Sequence, residues 1–271
     1  MGKRIACICG KPGRVQHTRM KFLRDNYLPY LDVYADDVPD LSKYEVVYFS
    51  HYSLAKKVKF DGKRKMLASV TSHKYDREKL ELFDRISVNN RLLLSELREF
   101  SPVLTENGVD TKFWQYRIRP PRLPLIGWVG NKDRKAKRYY EWRRIRSELE
   151  PYGFMFEEVV TSKHGEQART PEQMRSWYHT VDVLVNTSES EGTPNPALEA
   201  MSCGCWVVAP NVGNLAHIRE TMKGDPMWWL HRLVDGWHPK YTRHEARKRM
   251  EEQWDWSIKY KAWDNFFKEW L

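Results

Sequence analysis

Short apolar runs such as Ile5-Ala-Cys-Ile-Cys9, Glu45-Val-Val-Tyr-Phe-Ser50, Lys65-Met-Leu-Ala-Ser-Val70 and Trp206-Val-Val-Ala209 recur along the chain, each too short for a helix and rich in residues that suit a pleated surface. Between them lie segments with apolar positions three and four apart, as in Val15–Asn26 and Pro171–Tyr178. The pattern predicts strands over 4–9, 31–34, 45–50, 65–70, 85–88 and 102–104 with helices over 15–26 and 89–100. It predicts a second series of strands over 125–129, 154–160, 181–186 and 206–209 with helices over 135–150, 171–178 and 196–202. Strands that alternate with helices imply two α/β layers around parallel sheets, that is, two Rossmann-like halves. The Pro- and Arg-rich stretch 114–123 has no period and reads as their linker. Helices over 243–252 and from 256 onward complete the pattern. In the last, Trp256, Tyr260, Trp263, Phe267 and Trp270 fall on one face, which either packs on the protein's own core or docks on a membrane. The balance of bases and acids around it favours the core.

Composition narrows the class. Hydrophobic residues make up 41% of the 271 and include 12 Trp, enough apolar surface for packed cores. No stretch approaches the roughly 20 apolar residues of a membrane span. The basic start before Ile5 is followed by too few apolar residues for a signal peptide, so a cytoplasmic protein is expected. The cysteines form two C-x-C pairs, Cys7/Cys9 and Cys203/Cys205, a poor spacing for zinc or redox chemistry. They read as small buried apolar residues. The net charge of +10 is uneven. Lys3, Arg4, Lys11, Arg14, Arg19, Lys21 and Arg24 come without an acid among residues 1–24, and Lys56, Lys57, Lys59, Lys63, Arg64 and Lys65 surround Asp61 alone. A third basic cluster spans 112–146. Clusters of this kind either keep a surface solvated or converge on a polyanion.

The densest chemistry lies in Val185-Asn-Thr-Ser-Glu-Ser-Glu-Gly-Thr-Pro-Asn-Pro-Ala-Leu-Glu199. A strand ends in a polar loop, and Pro194-Asn195-Pro196 opens a helix whose N-terminal amides and dipole make a site for an anion such as a diphosphate. Glu191 in the loop and Glu199 about one turn into the helix flank that site, and carboxylates accept hydrogen bonds from sugar hydroxyls. A phosphate grip beside hydroxyl acceptors describes a nucleotide-sugar.

The run Glu191-Gly-Thr-Pro-Asn-Pro-Ala-Leu-Glu199-Ala-Met-Ser-Cys-Gly204 resembles the E-x7-E signature of the family-four retaining glycosyltransferases of GT-B fold. Val70-Thr-Ser-His73, Phe83-Asp-Arg-Ile-Ser-Val-Asn-Asn90, Asn107-Gly-Val-Asp110 with Phe113, Trp128-Val-Gly130 and Pro171–Tyr178 follow the same family's order, so the resemblance covers about 65–215. It implies GT-B architecture: an acceptor-binding domain over 1–115, a linker over 116–124, a nucleotide-sugar domain over 125–252 and an aromatic helix over 253–271 returning to the first domain. The first 60 residues are shorter than the family's, so a pared-down acceptor domain is expected.

By the same resemblance Glu191 contacts the donor sugar and Glu199 the ribose. Gly192, Thr193, Pro194 and Asn195 approach the phosphates, and His73 sits beside the transferring sugar. Gly10-Lys-Pro-Gly13 corresponds to the family's glycine loop near the phosphates, a simple turn being the alternative. The family neutralises the leaving diphosphate with an Arg and a Lys after the Val-Gly element. Asn131 stands at the Arg position here, and Arg134 and Lys135 are the expected replacements. No D-x-D motif occurs, so neither metal nor other cofactor is expected, and retention follows by analogy alone. The expected reaction moves a sugar from a nucleoside diphosphate, such as a UDP-sugar, to an acceptor hydroxyl. Arg14, Arg19, Lys57 and Lys59 are the expected contacts of a polyanionic acceptor, with DNA carrying a hydroxylated base as leading candidate and Trp114 or Tyr52 available to stack on the base. Two alternatives stand beside it: a glycosyltransferase acting on a membrane lipid or surface glycan, and a non-catalytic nucleotide-sugar or nucleic-acid binding protein.

Overall fold

In the computed structural model, which describes residues 3–60, 62–118, 124–161, 169–235 and 242–271, the chain forms two units: residues 1–107 with 259–271, and 108–258. The first ends at Asn107, earlier than the expected 115, and the stretch that rejoins it begins at Lys259 rather than 253. The expected linker falls largely on 119–123, outside the described residues.

In the first unit β1 (Ile5–Cys9), α1 (Val15–Asn26), β2 (Leu31–Ala35), β3 (Val46–Phe49), β4 (Lys65–Val70), α2 (Arg77–Leu80), β5 (Arg85–Val88), α3 (Arg91–Glu96) and β6 (Val103–Leu104) build a sheet of order β2-β1-β3-β4-β5-β6. Its pairings are all parallel, with Ile5 opposite both Leu31 and Val46. The pleat sends Ala6, Ile8, Val47, Phe49, Ala68 and Val70 to one core with Leu80, Leu93 and Leu97. Across the sheet, α1 and the terminal helix α9 (Trp256–Lys268) cover Tyr48, whose ring meets Trp263, Phe266 and Phe267 edge-on at 6.3, 6.1 and 5.0 Å. Those three α9 residues are fully buried. Of the expected stripe Trp256, Trp263 and Phe267 are buried, with Phe266 beside them, and Tyr260 and Trp270 are half-buried.

The second unit contains β7 (Leu125–Asn131), α4 (Tyr139–Leu149), β8 (Met155–Thr161), α5 (Pro171–Tyr178), β9 (Val183–Val185), α6 (Asn195–Ser202), β10 (Trp206–Ala209), β11 (Thr221–Lys223), α7 (Pro226–Val234) and α8 (Arg243–Arg249). The parallel order β11-β10-β9-β7-β8 reverses direction between β7 and β9. That reversal opens a crevice at the carboxyl ends of these strands, where α/β sheets hold ligands. One face packs Trp177, Leu184, Ala197, Leu198 and Met201, the other Trp128, Trp142, Ile145, Leu230 and Leu233. The expected helix over 135–150 divides into a 3-10 turn (Lys135–Lys137) and α4, because Arg138 takes a left-handed conformation with φ 47°. The helix expected over 243–252 ends at Arg249 and continues as a π turn (Met250–Trp254). All four cysteines are buried free thiols. No helix among the described residues is long and apolar enough to cross a membrane.

Candidate functional site

Three loops meet at the carboxyl edge of the second sheet. The loop after β9 is tied down first: Ser188 N–H donates to Asn186 Oδ1 at 2.8 Å, and Thr187 Oγ1 takes the Trp128 indole N–H at 3.0 Å while donating to the Lys137 carbonyl at 2.7 Å. Glu189 N–H donates to the Ala136 carbonyl at 3.0 Å. These bonds hold the turn after β7 against the loop after β9. Lys137 Nζ, 17% exposed, thereby donates to Glu191 Oε1 at 2.5 Å, with Glu191 12% exposed. Arg134 and Lys135, the expected diphosphate cations, are exposed. Lys135 and Lys137 lie at opposite ends of one 3-10 turn, so their side chains diverge, and Lys137 is carried inward as the chain enters α4.

The third loop, after β10, braces the other side. Asn214 donates its backbone N–H to the Gly192 carbonyl at 3.1 Å and its side-chain amide to Thr193 Oγ1 at 2.8 Å. Gly213 permits this approach: its φ is +49°, and a Cβ there would stand 2.3 Å from the Gly192 oxygen and 2.7 Å from that of Glu191. Gly213→Ala is expected to raise donor KM by displacing residues 191–193. A left-handed non-glycine residue costs about 1–2 kcal/mol, so a melting temperature lower by roughly 2–8 °C should accompany it. Unchanged donor binding in that variant would remove the brace from the site.

Past the loop, Ala197 N–H donates to the Pro194 carbonyl at 2.9 Å as α6 begins, with no side chain capping its first turn. Pro194 and Pro196, with Trp128, Asn186, Ser188 and Lys137, line the crevice at the sheet reversal. Glu199, half-buried one turn into α6, accepts a hydrogen bond from the Tyr178 hydroxyl at 3.1 Å. Burial pushes its carboxyl up to about 7, and the Tyr178 bond pulls the other way. Tyr178 itself is fully buried, and its phenol is held well above its usual range by burial and by the Glu199 carboxylate.

The first unit's candidates sit at the carboxyl edge of its own sheet. Gly10 and Gly13 lie in the turn after β1. Gly13 has φ +74°, whereas Gly10 has open space where a Cβ would be. Lys11 and Arg14 are exposed in the same turn. Lys57 follows β3 and donates to the Asp36 carbonyl at 2.7 Å, and Lys59 is exposed just beyond. His73 follows β4, and its Nδ1 lies 2.8 and 3.0 Å from the two carboxylate oxygens of Glu96. Arg19 departs from expectation. It is 6% exposed, donates from Nη1 to Asn107 Oδ1 at 2.9 Å, and lays its guanidinium 4.8 Å over the Trp263 ring. It shares the buried face of α1 with Met20 and Leu23, so the sheet and α9 take it away from any acceptor. Lys137, Tyr178, Asn214 and Glu96 were not singled out in the sequence.

Residues 126–232 match the sequence model of the family described as Glycosyl transferases group 1. A D-inositol 3-phosphate glycosyltransferase of Paenarthrobacter aurescens (strain TC1) is 42% identical over 83 residues, which span 30% of this chain and 18% of the length of that relative. Among solved structures, a sucrose-phosphate synthase from Thermosynechococcus elongatus superposes with a TM-score of 0.67 at 14% identity over 98% of this chain and 99% of that one. The apo form of a lipopolysaccharide outer core galactosyltransferase gives 0.71 at 15% identity over 98% and 100%. The catalytic domain of starch synthase IV from Arabidopsis thaliana, bound to ADP and acarbose, gives 0.70 at 10% identity over 99% of each chain. Residues 126–232, which hold Lys137, Tyr178, Glu191, Glu199 and Asn214, are thus similar in sequence to the glycosyl transferases group 1, on a chain of GT-B fold.

Proposed function

We propose that this protein is a glycosyltransferase that moves a sugar from a nucleoside diphosphate to an acceptor hydroxyl. The gathering of Glu191, Glu199 and Lys137 around the sheet reversal and the α6 N-terminus carries the reading. Departure of a nucleoside diphosphate builds negative charge, and Lys137 with the α6 amides supplies the positive potential that stabilises it. The hydroxyl-rich sugar and ribose are matched by Glu191 and Glu199. The assay is consumption of a panel of UDP-, ADP- and GDP-sugars by purified protein, followed by mass spectrometry. Absence of donor turnover together with absence of donor binding overturns the reading, whereas tight binding without turnover assigns a non-catalytic nucleotide-sugar protein.

The transfer proceeds without a metal and with retention at the anomeric carbon in this proposal. Turnover is expected to persist in excess EDTA, and full loss on chelation, restored by Mn²⁺ or Mg²⁺, would show that a divalent ion replaces the Lys137 role. The anomeric coupling constant of the product reports the stereochemistry.

For the acceptor, the exposed Lys11, Arg14, Lys56, Lys57 and Lys59 in the turns after β1 and β3 favour a polyanion, with DNA bearing a hydroxylated base as the first candidate in the cytoplasm. DNA binding that weakens steeply between roughly 50 and 200 mM salt, and weakens further in Arg14→Ala and Lys59→Ala, is expected. Binding to anionic liposomes alone would transfer the assignment to a membrane acceptor.

A further inference from the structure

Arg138 sits where its backbone would suit glycine better. With φ 47° and ψ 51° it is left-handed, a conformation in which the Cβ crowds the following carbonyl. Among the described residues Asp36 and Ser101 share this sign of φ, and both carry short polar side chains. The ion pair from Arg138 Nη2 to Glu141 Oε1 at 2.8 Å does not offset the strain, because both side chains are partly exposed, at 34% and 19%, and a pair three residues apart contributes little. A long side chain held in such a conformation points to a function for that side chain.

The chain leaving β9 shows where that function lies. Asn186 and Ser188 line the crevice beside Pro194, whereas Thr187 lines a separate pocket of about 310 Å³ together with Arg138, Glu141, Arg144, Pro210 and Asp225, all within the second unit. Glu141 lies between the two guanidiniums and also accepts from Arg144 Nε at 3.0 Å. Asp225 caps α7 with Oδ1, which accepts the Met227 N–H at 2.9 Å. Arg138 Nη1 and Asp225 Oδ2 keep no hydrogen-bond partner among the described residues. Two bases and two acids leave this wall without net charge, so it favours neither an anion nor a cation. It presents an open donor, an open acceptor and, beside them, the 62% exposed ring of Tyr140, whose hydroxyl accepts from Arg138 Nε at 2.9 Å. A neutral saccharide matches all three: its hydroxyls donate and accept, and its C–H face suits the electron-rich face of an aromatic ring. We propose that this pocket is a second saccharide-binding site, separate from the Glu191 crevice, and that Arg138 is kept left-handed for the hydrogen bonds its guanidinium makes there. The inference does not depend on the reaction carried out at Glu191.

Saturation-transfer difference NMR on the intact protein, with maltose and lactose titrated in the presence of excess UDP, tests the site. At least one disaccharide is expected to bind, to resist displacement by UDP, and to bind equally well in Glu191→Gln. Its affinity should fall roughly tenfold or more in Arg138→Gly and in Asp225→Asn, the fold-change of one lost bond to a charged group. Asparagine still caps α7, so the second variant keeps its helix. Glycine relieves the backbone, so Arg138→Gly should melt within about 3 °C of the wild type or above it. Arg138→Ala keeps the strain and should melt below Arg138→Gly while binding no better. Binding of neither sugar overturns the proposal, as does binding that UDP displaces, that Glu191→Gln abolishes or that survives both pocket substitutions. A melting temperature that drops beyond that margin in Arg138→Gly assigns the arginine to the fold and overturns it as well. Inorganic phosphate bound in an Arg138-dependent way overturns it in favour of an anion pocket.

Discussion

Replacing Glu191 with Gln is expected to lower donor turnover roughly 10- to 150-fold, the kinetic equivalent of the 1.5–3 kcal/mol carried by a hydrogen bond to a charged group. The amide keeps the shape of the side chain but removes the charge that holds Lys137 and accepts from sugar hydroxyls. Lys137→Met should produce a loss of similar size, concentrated in kcat because the cation acts on charge that develops as the diphosphate leaves. Arg134→Ala and Lys135→Ala should leave turnover close to wild type, since both side chains point to solvent. Steady-state donor consumption, with circular dichroism to show that each variant folds, decides the matter. The site is misassigned if the Lys135 variant is crippled while the Lys137 variant is not.

Donor binding is expected to strengthen as pH rises from 6 to 8. The Glu199 carboxyl lies at about 7, and its ionised form is the better acceptor of ribose hydroxyls, so binding favours loss of the proton. The slope cannot exceed tenfold per pH unit for one such group. Glu199→Gln should flatten the profile. Tyr178→Phe removes the donor that favours the charged form and should move the midpoint upward, although its ring still fills the same space. Stability runs in the opposite sense. The native carboxyl is raised above its ordinary value of 4.5, so its contribution is fully present below about 4.5 and is lost as pH climbs through about 7. Calorimetric titration in buffers of different ionisation enthalpy measures proton release on binding directly. A pH-independent affinity in the wild type would detach Glu199 from the donor.

Elements with a plain hydrophobic signature were legible from the sequence. α1, α5, β4, β5 and β10 fall where the hydrophobic pattern puts them: the two helices bury one face between polar ends, and the three strands are short apolar runs buried almost throughout. β11 and α7 were not anticipated. β11 has three residues, and Met227-Trp-Trp-Leu230 is an unbroken apolar run whose helical period is hidden until Asp225 is seen to cap it. At the site, Glu191 and Glu199 were legible because a strand, a loop and a helix start lie together in sequence. The His73–Glu96, Tyr178–Glu199 and Asn214–Thr193 pairs join residues far apart in the chain, so only the folded structure brings them together. Arg19 misled for a related reason: a charge count treats each base as solvated, whereas a helix carries whatever lies on its inner face into the core.

The first unit joins residues 1–107 to 259–271, so the contacts of Tyr48 with Trp263, Phe266 and Phe267 close a loop of roughly 200 residues. The entropy of closing such a loop grows only as the logarithm of its length, but contacts of this sequence separation slow folding, so the docking of these three rings is expected to be a late step. Until then Tyr48 lacks its three aromatic neighbours, and that part of the sheet is the surface a chaperone would meet.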